Sequence, residues 1–368
     1  MAAPQLEGID KFLVTADFLN TSHGRLGCIA CHGGENVTDR ETAHATMIPR
    51  PSYSPEGICA DCHGDITGTF AVSIHHTVQG MANFFDNFVH PGILDQEGSG
   101  FRTAFDNNCY KCHSTCGSCH VSRPVAYGGG LHSQHQFAKT PPMGETCFGC
   151  HGARNAGEYM GVVGFTRDVH FEKGMHCKDC HPKSNFHGTG AVEQYMYDVD
   201  LPNCTDCHGQ MLTAGSPIEA HRSHPADLMN CQVCHAGANN NCFDCHATLQ
   251  PDGSVAGVAG AMRILFKIGL NPERTPERPY KYMTLRHIPT VIDTFSSLVG
   301  AGDLPNYHQF PNWKYSPTHN IQRRTIQNES CNSCHGNQFI FLGERDLRES
   351  DSEANQELLV RIIPPPVP

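Results

Sequence analysis

The pattern Cys-x-x-Cys-His occurs ten times in this 368-residue sequence and accounts for all 20 cysteines. It is the attachment signal of a c-type haem, in which both cysteines bond to the porphyrin and the adjacent histidine ligates the iron from one face. We therefore expect ten covalently attached haems c. The attaching cysteines would be Cys28, Cys31, Cys59, Cys62, Cys109, Cys112, Cys116, Cys119, Cys147, Cys150, Cys177, Cys180, Cys204, Cys207, Cys231, Cys234, Cys242, Cys245, Cys331 and Cys334. The ligands on that face, here called the motif histidines, would be His32, His63, His113, His120, His151, His181, His208, His235, His246 and His335.

Other sites built on cysteine pairs fit this sequence less well. Zinc ribbons and dithiol oxidoreductases contain Cys-x-x-Cys, but neither requires a histidine at the next position. Here the histidine follows in all ten cases. The sequence thus favours haem over zinc or disulfides. Two motifs share residues 109–120, so we expect their haems to form one of the closest pairs.

The number of haems limits the kind of fold. Ten haems leave about 37 residues of chain each, too few for a conventional core of packed secondary structure. We expect the haems to be the core of a mostly irregular chain with short α-helices and very little β-structure, a multihaem cytochrome c architecture. A long interval between the last two motifs predicts a nine-haem body at residues 1–250 and a C-terminal segment at 251–368 carrying the tenth haem.

Three stretches of the C-terminal segment carry predictions of their own. The apolar residues 264–268 predict a short helix, and the acidic residues 345–357 predict another helical run. Residues 358–363 are apolar except for Arg361 and partly β-branched, and prolines follow them. This tail could pair along a neighbouring subunit or fold back on its own body. The two alternatives are open at this point.

The supply of histidine determines the expected chemistry. Outside the motifs 15 histidines remain, enough to give every iron a second imidazole. Such an iron is six-coordinate and exchanges electrons without binding substrate. The 11 methionines could also be ligands, but the surplus of histidine favours bis-histidine ligation. No nucleophile or paired-carboxylate signature is present, so we expect electron transfer and no enzymatic activity.

Some second ligands can be proposed from their position. His23 precedes the first motif by five residues. Of the neighbours His75 and His76 we favour His75, since adjacent helical side chains diverge by about 100°. His221 and His224 lie on one side of a helix at i and i+3 and could serve two haems, with a shared metal ion as the alternative.

Other histidines are ranked by their surroundings. His132 and His135 follow the glycines at 128–130, which predict a tight backbone passage, and both are candidates. His176 precedes Cys177 directly and is the least suited, because it is too close to its own attachment site to reach the far face of that iron.

Charge and hydropathy restrict the partners and the compartment. The formal net charge of −11 argues against nucleic acid and anionic membranes as partners. No run of 18 apolar residues occurs, so the sequence predicts no transmembrane segment. Because prokaryotes attach haem c outside the cytoplasm, we expect an extracellular or periplasmic protein, exported by a signal peptide absent from this sequence.

Several strings beyond the motifs carry a family resemblance. They are HGRLGC at 23–28, SIH at 73–75, TCGSCHVSRP at 115–124 and PTHN at 317–320. With them, the chain resembles the secreted multihaem c-type cytochromes of respiratory prokaryotes. The resemblance implies that the second axial ligands, here called the distal histidines, are His23, His44, His75, His135, His170, His187, His221, His224, His287 and His319.

The resemblance also bears on activity. Members of the group are similar in haem packing to the octahaem tetrathionate and hydroxylamine enzymes, which often carry a lysine in place of a motif histidine or an iron without a distal ligand. All ten motifs here end in histidine, which weakens the interpretation as an enzyme. Some extracellular relatives polymerise into haem filaments, so self-association is expected, with His23 and the C-terminal tail as the places to look. We expect electron exchange with other redox proteins or extracellular acceptors. One alternative is a reductase of a nitrogen or sulfur oxyanion with one open iron, and another is a periplasmic shuttle bound in a porin.

Overall fold

The computed structural model describes residues 8–162, 164–212, 215–240 and 264–368. Short helices and irregular segments predominate, and no helix in these ranges is longer than the 11 residues of Ala60–Phe70, which has a kink at His63. The ninth motif, with Cys242, Cys245 and His246, lies outside the described residues. The α-helices are α1 (Cys28–His32), α2 (Arg40–His44), α3 (Ala60–Phe70), α4 (Ile74–Thr77), α5 (Gln79–Phe88), α6 (Gly100–Asn107), α7 (Cys116–His120), α8 (Phe148–His151), α9 (Gly157–Met160), α10 (Val169–Glu172), α11 (Cys177–Cys180), α12 (Lys183–His187), α13 (Thr205–His208), α14 (Glu219–Ser223), α15 (Gln232–His235) and α16 (Ser296–Val299).

The remaining elements are single turns and short strands. The 3₁₀ turns are Gly8–Phe12, Ala16–Asn20, Gly24–Leu26, Ile93–Asp95, Cys109–Cys112, Val125–Tyr127, Gly209–Leu212, Tyr307–Gln309, Ile326–Asn328, Cys331–Ser333, Glu344–Asp346 and Glu353–Leu358, and π-helical turns span Met143–Cys147 and Gly152–Ala156. The strands are β1 (Asn239–Asn240), β2 (Ile264–Leu265), β3 (Lys267–Leu270), β4 (Tyr282–His287) and β5 (Trp313–Tyr315). The prediction of short helices and little strand is confirmed.

The cysteine motifs coincide with many of these turns. Helices α1, α7, α8, α11, α13 and α15 each lie in one motif, while the third and tenth motifs begin in 3₁₀ turns. The second motif leads into α3. In an α-helical turn, residues i, i+3 and i+4 share one face. The spacing of the motif therefore puts both cysteines and the histidine on the same side of such a turn.

The chain divides into two compact units. The first comprises Met1–Asn83, Cys109–Gly152 and His176–Leu201, and the second comprises Phe84–Asn108, Ala153–Met175 and Pro202–Pro368. The first unit contains the first six motifs. The chain crosses between the units several times, so this division differs from the expected boundary at residue 250.

The second unit contains a small sheet with a side-chain core. Strands β3, β4 and β5 are antiparallel in that order, and the pairs include Ile268 with Thr284 and His287 with Trp313. One apolar cluster comprises Met283, Leu285, Trp313, Leu342, Leu358 and Leu359. A second comprises Val233, Ile268, Ile340, Phe341 and Val360. These clusters bury side chain against side chain, which the expectation of a purely haem-built core did not include.

Two predictions for the C-terminal segment are wrong. Residues 264–268 fall largely in strands β2 and β3. Ile268 lies opposite Thr284 of β4, and on its other side its amide donates to the Ile340 carbonyl and its carbonyl accepts from the Leu342 amide. Residues 345–357 do not form one helical run. Two 3₁₀ turns contain parts of this stretch, and the Ser352 hydroxyl begins the second turn by accepting a bond from the Ala354 amide.

The C-terminal tail folds back on the second unit. Leu358, Leu359 and Val360 are buried, and the Val360 amide donates to the Leu342 carbonyl. Further along, the Pro364 carbonyl accepts a hydrogen bond from the Gly336 amide. Of the two alternatives for the tail, the structure has the one in which it completes its own body.

No helix among the described residues is both long enough and apolar enough to cross a membrane.

Candidate cofactor site of paired histidines

Seven motif histidines face a histidine from elsewhere in the chain. The separations between their ring centres fall between 5.9 and 6.3 Å. Every pair joins one motif histidine to one of the expected distal histidines. The pairs are His63 with His23, His32 with His135, His151 with His75, His120 with His187, His208 with His170, His235 with His221, and His335 with His224.

The separation of these rings has a chemical meaning. Two imidazoles in direct packing contact lie closer, as do His76 and His113, with ring centres at 4.6 Å. Metal–nitrogen bonds of about 2 Å on both sides, plus roughly 1 Å from each nitrogen to its ring centre, place the centres roughly 6 Å apart. The seven pairs therefore have room for one metal ion between the rings.

Hydrogen bonds at Nδ1 orient many of these rings. Among motif histidines, His32 Nδ1 donates to the Ile48 carbonyl at 2.9 Å and His120 Nδ1 to the Ala138 carbonyl at 2.7 Å. Among the expected distal histidines, His221 and His224 donate to the Met211 and Ala220 carbonyls at 3.0 and 2.9 Å. A carbonyl accepts only from a protonated nitrogen, so Nδ1 carries the hydrogen and Nε2 keeps its lone pair. Metal-bound histidines have this arrangement.

His75 and His76 differ as the helical geometry predicts. Ser73 caps α4 by accepting the His76 amide with its hydroxyl. His75 then faces His151 across 6.3 Å, and burial, reinforced by the nearby His151, lowers the pKa of His75 to about 4. His76 instead directs Nδ1 to the Ser114 carbonyl at 3.2 Å. Neutral His75 is the form that can ligate a metal.

His221 and His224 lie next to the histidines of two different motifs. From α14 and the residue after it, they face His235 of the eighth motif and His335 of the tenth. Within the part of the chain that the structure describes, no three His, Cys, Asp or Glu side chains are grouped to hold a metal ion by themselves. The geometry therefore favours two separate sites over one shared ion.

The ring of His170 is oriented by the carboxylate of Asp168. Asp168 begins α10 and accepts bonds from the backbone amide and from Nδ1 of His170, the latter at 3.1 Å. This side-chain bond raises the pKa of His170. The ring of His170 lies 6.3 Å from that of His208. The carboxylate thus fixes Nδ1 as the protonated nitrogen and leaves Nε2 for a metal.

A run of glycines sets the position of His135. Gly128, Gly129 and Gly130 have φ of 80°, 61° and 83°, which residues with a side chain rarely adopt. The turn returns the chain so that the Leu131 amide donates to the Lys11 carbonyl at 2.7 Å. His135 follows, with its ring 4.5 Å from that of buried Phe18.

Three expected distal histidines are placed differently. His287 donates from Nε2 to Asp351 Oδ1 at 2.8 Å, and both groups are buried. This bond occupies the nitrogen that the other rings leave for a metal, so the structure does not present His287 as a ligand. His44 is exposed at the end of α2, with Nδ1 bonded to the Arg40 carbonyl. The backbone amide of His319 donates to the buried Glu158 carboxylate at 2.9 Å.

The motif cysteines of different motifs lie next to each other. A hydrogen bond with Cys116 lowers the pKa of the Cys59 thiol to about 7. Cys112 and Cys150 are joined in the same way, as are Cys231 and Cys204, and the pKa of Cys112 and of Cys231 falls to about 7. The second motif thus adjoins the fourth, the third adjoins the fifth, and the seventh adjoins the eighth.

Two of these cysteine pairs involve the adjacent motifs at residues 109–120. Thr115 separates them and caps α7, where its hydroxyl accepts the Ser118 amide at 3.1 Å. The thiols hydrogen-bonded to these two motifs nevertheless come from the fifth and second motifs. The expected closeness of the third and fourth haems stays a prediction.

The hydrogen-bond acceptors of the histidine rings were not predicted from the sequence. The carbonyls of Ile48 and Ala138, and the Asp351 carboxylate that binds His287, lie 16, 18 and 64 residues from their histidines. No local signal in the sequence identifies them. No known protein family, curated protein or solved structure matches this chain.

Proposed function

We propose that this chain is an electron-transfer protein that binds ten haems c through its Cys-x-x-Cys-His motifs. The single observation that carries the proposal is the set of seven rings facing seven motif histidines at 5.9–6.3 Å. Cysteine motifs alone would not require a second imidazole at that spacing. When bound, haem supplies an iron that changes between the ferric and ferrous states.

The side chains have distinct tasks in this proposal. The cysteines would hold the porphyrin, and each facing pair of histidines would ligate the iron. The carbonyls at Nδ1 keep the histidine rings in place, and bound haem would supply the change of charge at its iron. An iron held by two histidines would exchange electrons without binding substrate.

Exposed apolar residues next to the motifs add support. Leu26 and Ile29 flank Cys28, and their exposed fractions are 59% and 44%. Apolar side chains clustered on a surface indicate a covered site. A porphyrin attached at the first motif would cover these side chains.

The location and the partners follow from the same proposal. We propose export to the periplasm or the cell exterior, where haem c is attached, and electron exchange with other redox proteins or extracellular acceptors. The proposal also includes self-association into a filament. The tail and His23, the two expected contact points, both have partners within the chain.

A haem count combined with a reductive titration tests the proposed function. The protein is produced with a c-type maturation system, and covalent haem is measured as the pyridine haemochrome after acid–acetone extraction. We expect ten haems per chain, one for each motif, and ten electrons taken up per chain. The variant Cys28→Ala/Cys31→Ala is the matched control and should lose one haem and one electron. A chain without covalent haem, or one with zinc in its place, would contradict the proposal.

A further inference from the structure

His113 of the third motif has different surroundings from the seven paired motif histidines. Its ring is stacked on Tyr110 at 4.7 Å, and Tyr53 lies 5.4 Å away. His76 is at 4.6 Å, too close for one metal ion to lie between the two rings. Among the described residues, no histidine ring faces His113 at the separation of about 6 Å that the seven pairs share.

His113 nevertheless has the features of a ligand. Its Nδ1 donates to the His76 carbonyl at 2.5 Å, as the Nδ1 atoms of other motif histidines donate to carbonyls. Its Nε2 is buried and makes no hydrogen bond. A buried ring nitrogen without a hydrogen bond is costly, and a metal bond would offset that cost. His113 therefore fits an iron on one face.

Apart from His76, no histidine ring of the described residues is in contact with His113. His76, the closest imidazole, has Nδ1 bonded to the Ser114 carbonyl, and its own carbonyl holds His113. These two bonds fix His76 beside His113 instead of across from it. The other two rings in contact are phenols, which ligate haem iron less often than histidine does.

We propose that the third motif holds an iron with an exchangeable axial position, and that this position binds a small uncharged ligand of the carbon monoxide class. The inference rests on the proposed function, since it requires haem at the motif. The rings around His113 are two phenols and an imidazole, and none has a permanent positive charge. An uncharged ligand should therefore bind there better than an oxyanion.

Carbon monoxide binding to the reduced holoprotein tests this inference. The number bound per chain is measured by titrating the Soret difference spectrum, with the haem content determined on the same sample. We expect at least one carbon monoxide per chain carrying ten haems. The variant Tyr53→His places an imidazole near His113 and should lower the number by one, whereas Tyr53→Phe should leave it unchanged.

A second variant shows that the assay detects an opened site. His187 faces His120 of the fourth motif at 6.1 Å, so His187→Ala should raise the count by one per chain. No carbon monoxide binding by the wild-type protein with all ten haems would overturn the inference and leave the proposed function standing. Binding that Tyr53→His does not diminish would place the open iron at another motif and would also overturn it. A chain without haem would instead be a failure of the proposed function.

Discussion

Replacing His75 by alanine is expected to open one iron, while the same change at His76 is expected to open none. His75 faces His151 at ligand spacing, whereas His76 is bonded to the Ser114 carbonyl beside the third motif. The fifth motif would therefore lose its second ligand only in His75→Ala. Since the two residues are adjacent on α4, each variant controls for the general effect of truncating this helix.

The number of carbon monoxide molecules bound per reduced chain measures this difference. His75→Ala should increase the wild-type number by one and add a high-spin ferric signal to the low-temperature EPR spectrum. His76→Ala should leave both unchanged. An increase in His76→Ala with none in His75→Ala would show that the ring facing His151 is not its ligand.

Leu359→Ala is expected to destabilise the protein strongly, and Ile362→Ala is expected to have almost no effect. Leu359 is 1% exposed in the cluster with Leu285 and Leu342, whereas Ile362 is 85% exposed. Truncation of a buried leucine to alanine costs about 2–5 kcal/mol. A surface truncation usually changes the free energy of unfolding by less than about 0.5 kcal/mol.

Urea unfolding of the two holoproteins measures these free energies. Tryptophan fluorescence is a suitable signal, because the single Trp313 lies in the same cluster. Equal midpoints for Leu359→Ala and wild type would mean that the tail does not complete this core. In that case the alternative in which the tail pairs with a neighbouring subunit would regain support.

The local parts of the site could be predicted from the sequence. The spacing of Cys-x-x-Cys-His is that of one helical turn, so it indicates both the attachment residues and their shared face. The preference for His75 over His76 also followed from helical geometry, and the structure turns these two rings in different directions. Such inferences succeed because they involve residues within one turn of each other.

The pairing of rings could not be predicted, because it depends on tertiary contacts. His75 faces a motif histidine 76 residues later, and His287 binds a carboxylate 64 residues away. An isolated histidine has the same local appearance whether Nε2 meets a metal or an aspartate. The apolar residues 264–268 were ambiguous for a related reason, since a short apolar run fits either a helix or a buried strand. Pairing with β4 decides for the strand.

Near-infrared magnetic circular dichroism of the oxidised holoprotein tests the central claim most directly, because its charge-transfer bands distinguish bis-histidine ligation from histidine–methionine ligation. We expect a spectrum dominated by low-spin haem with two histidine ligands, with an intensity that corresponds to at least the seven paired sites. A spectrum dominated by histidine–methionine or high-spin haem would contradict it.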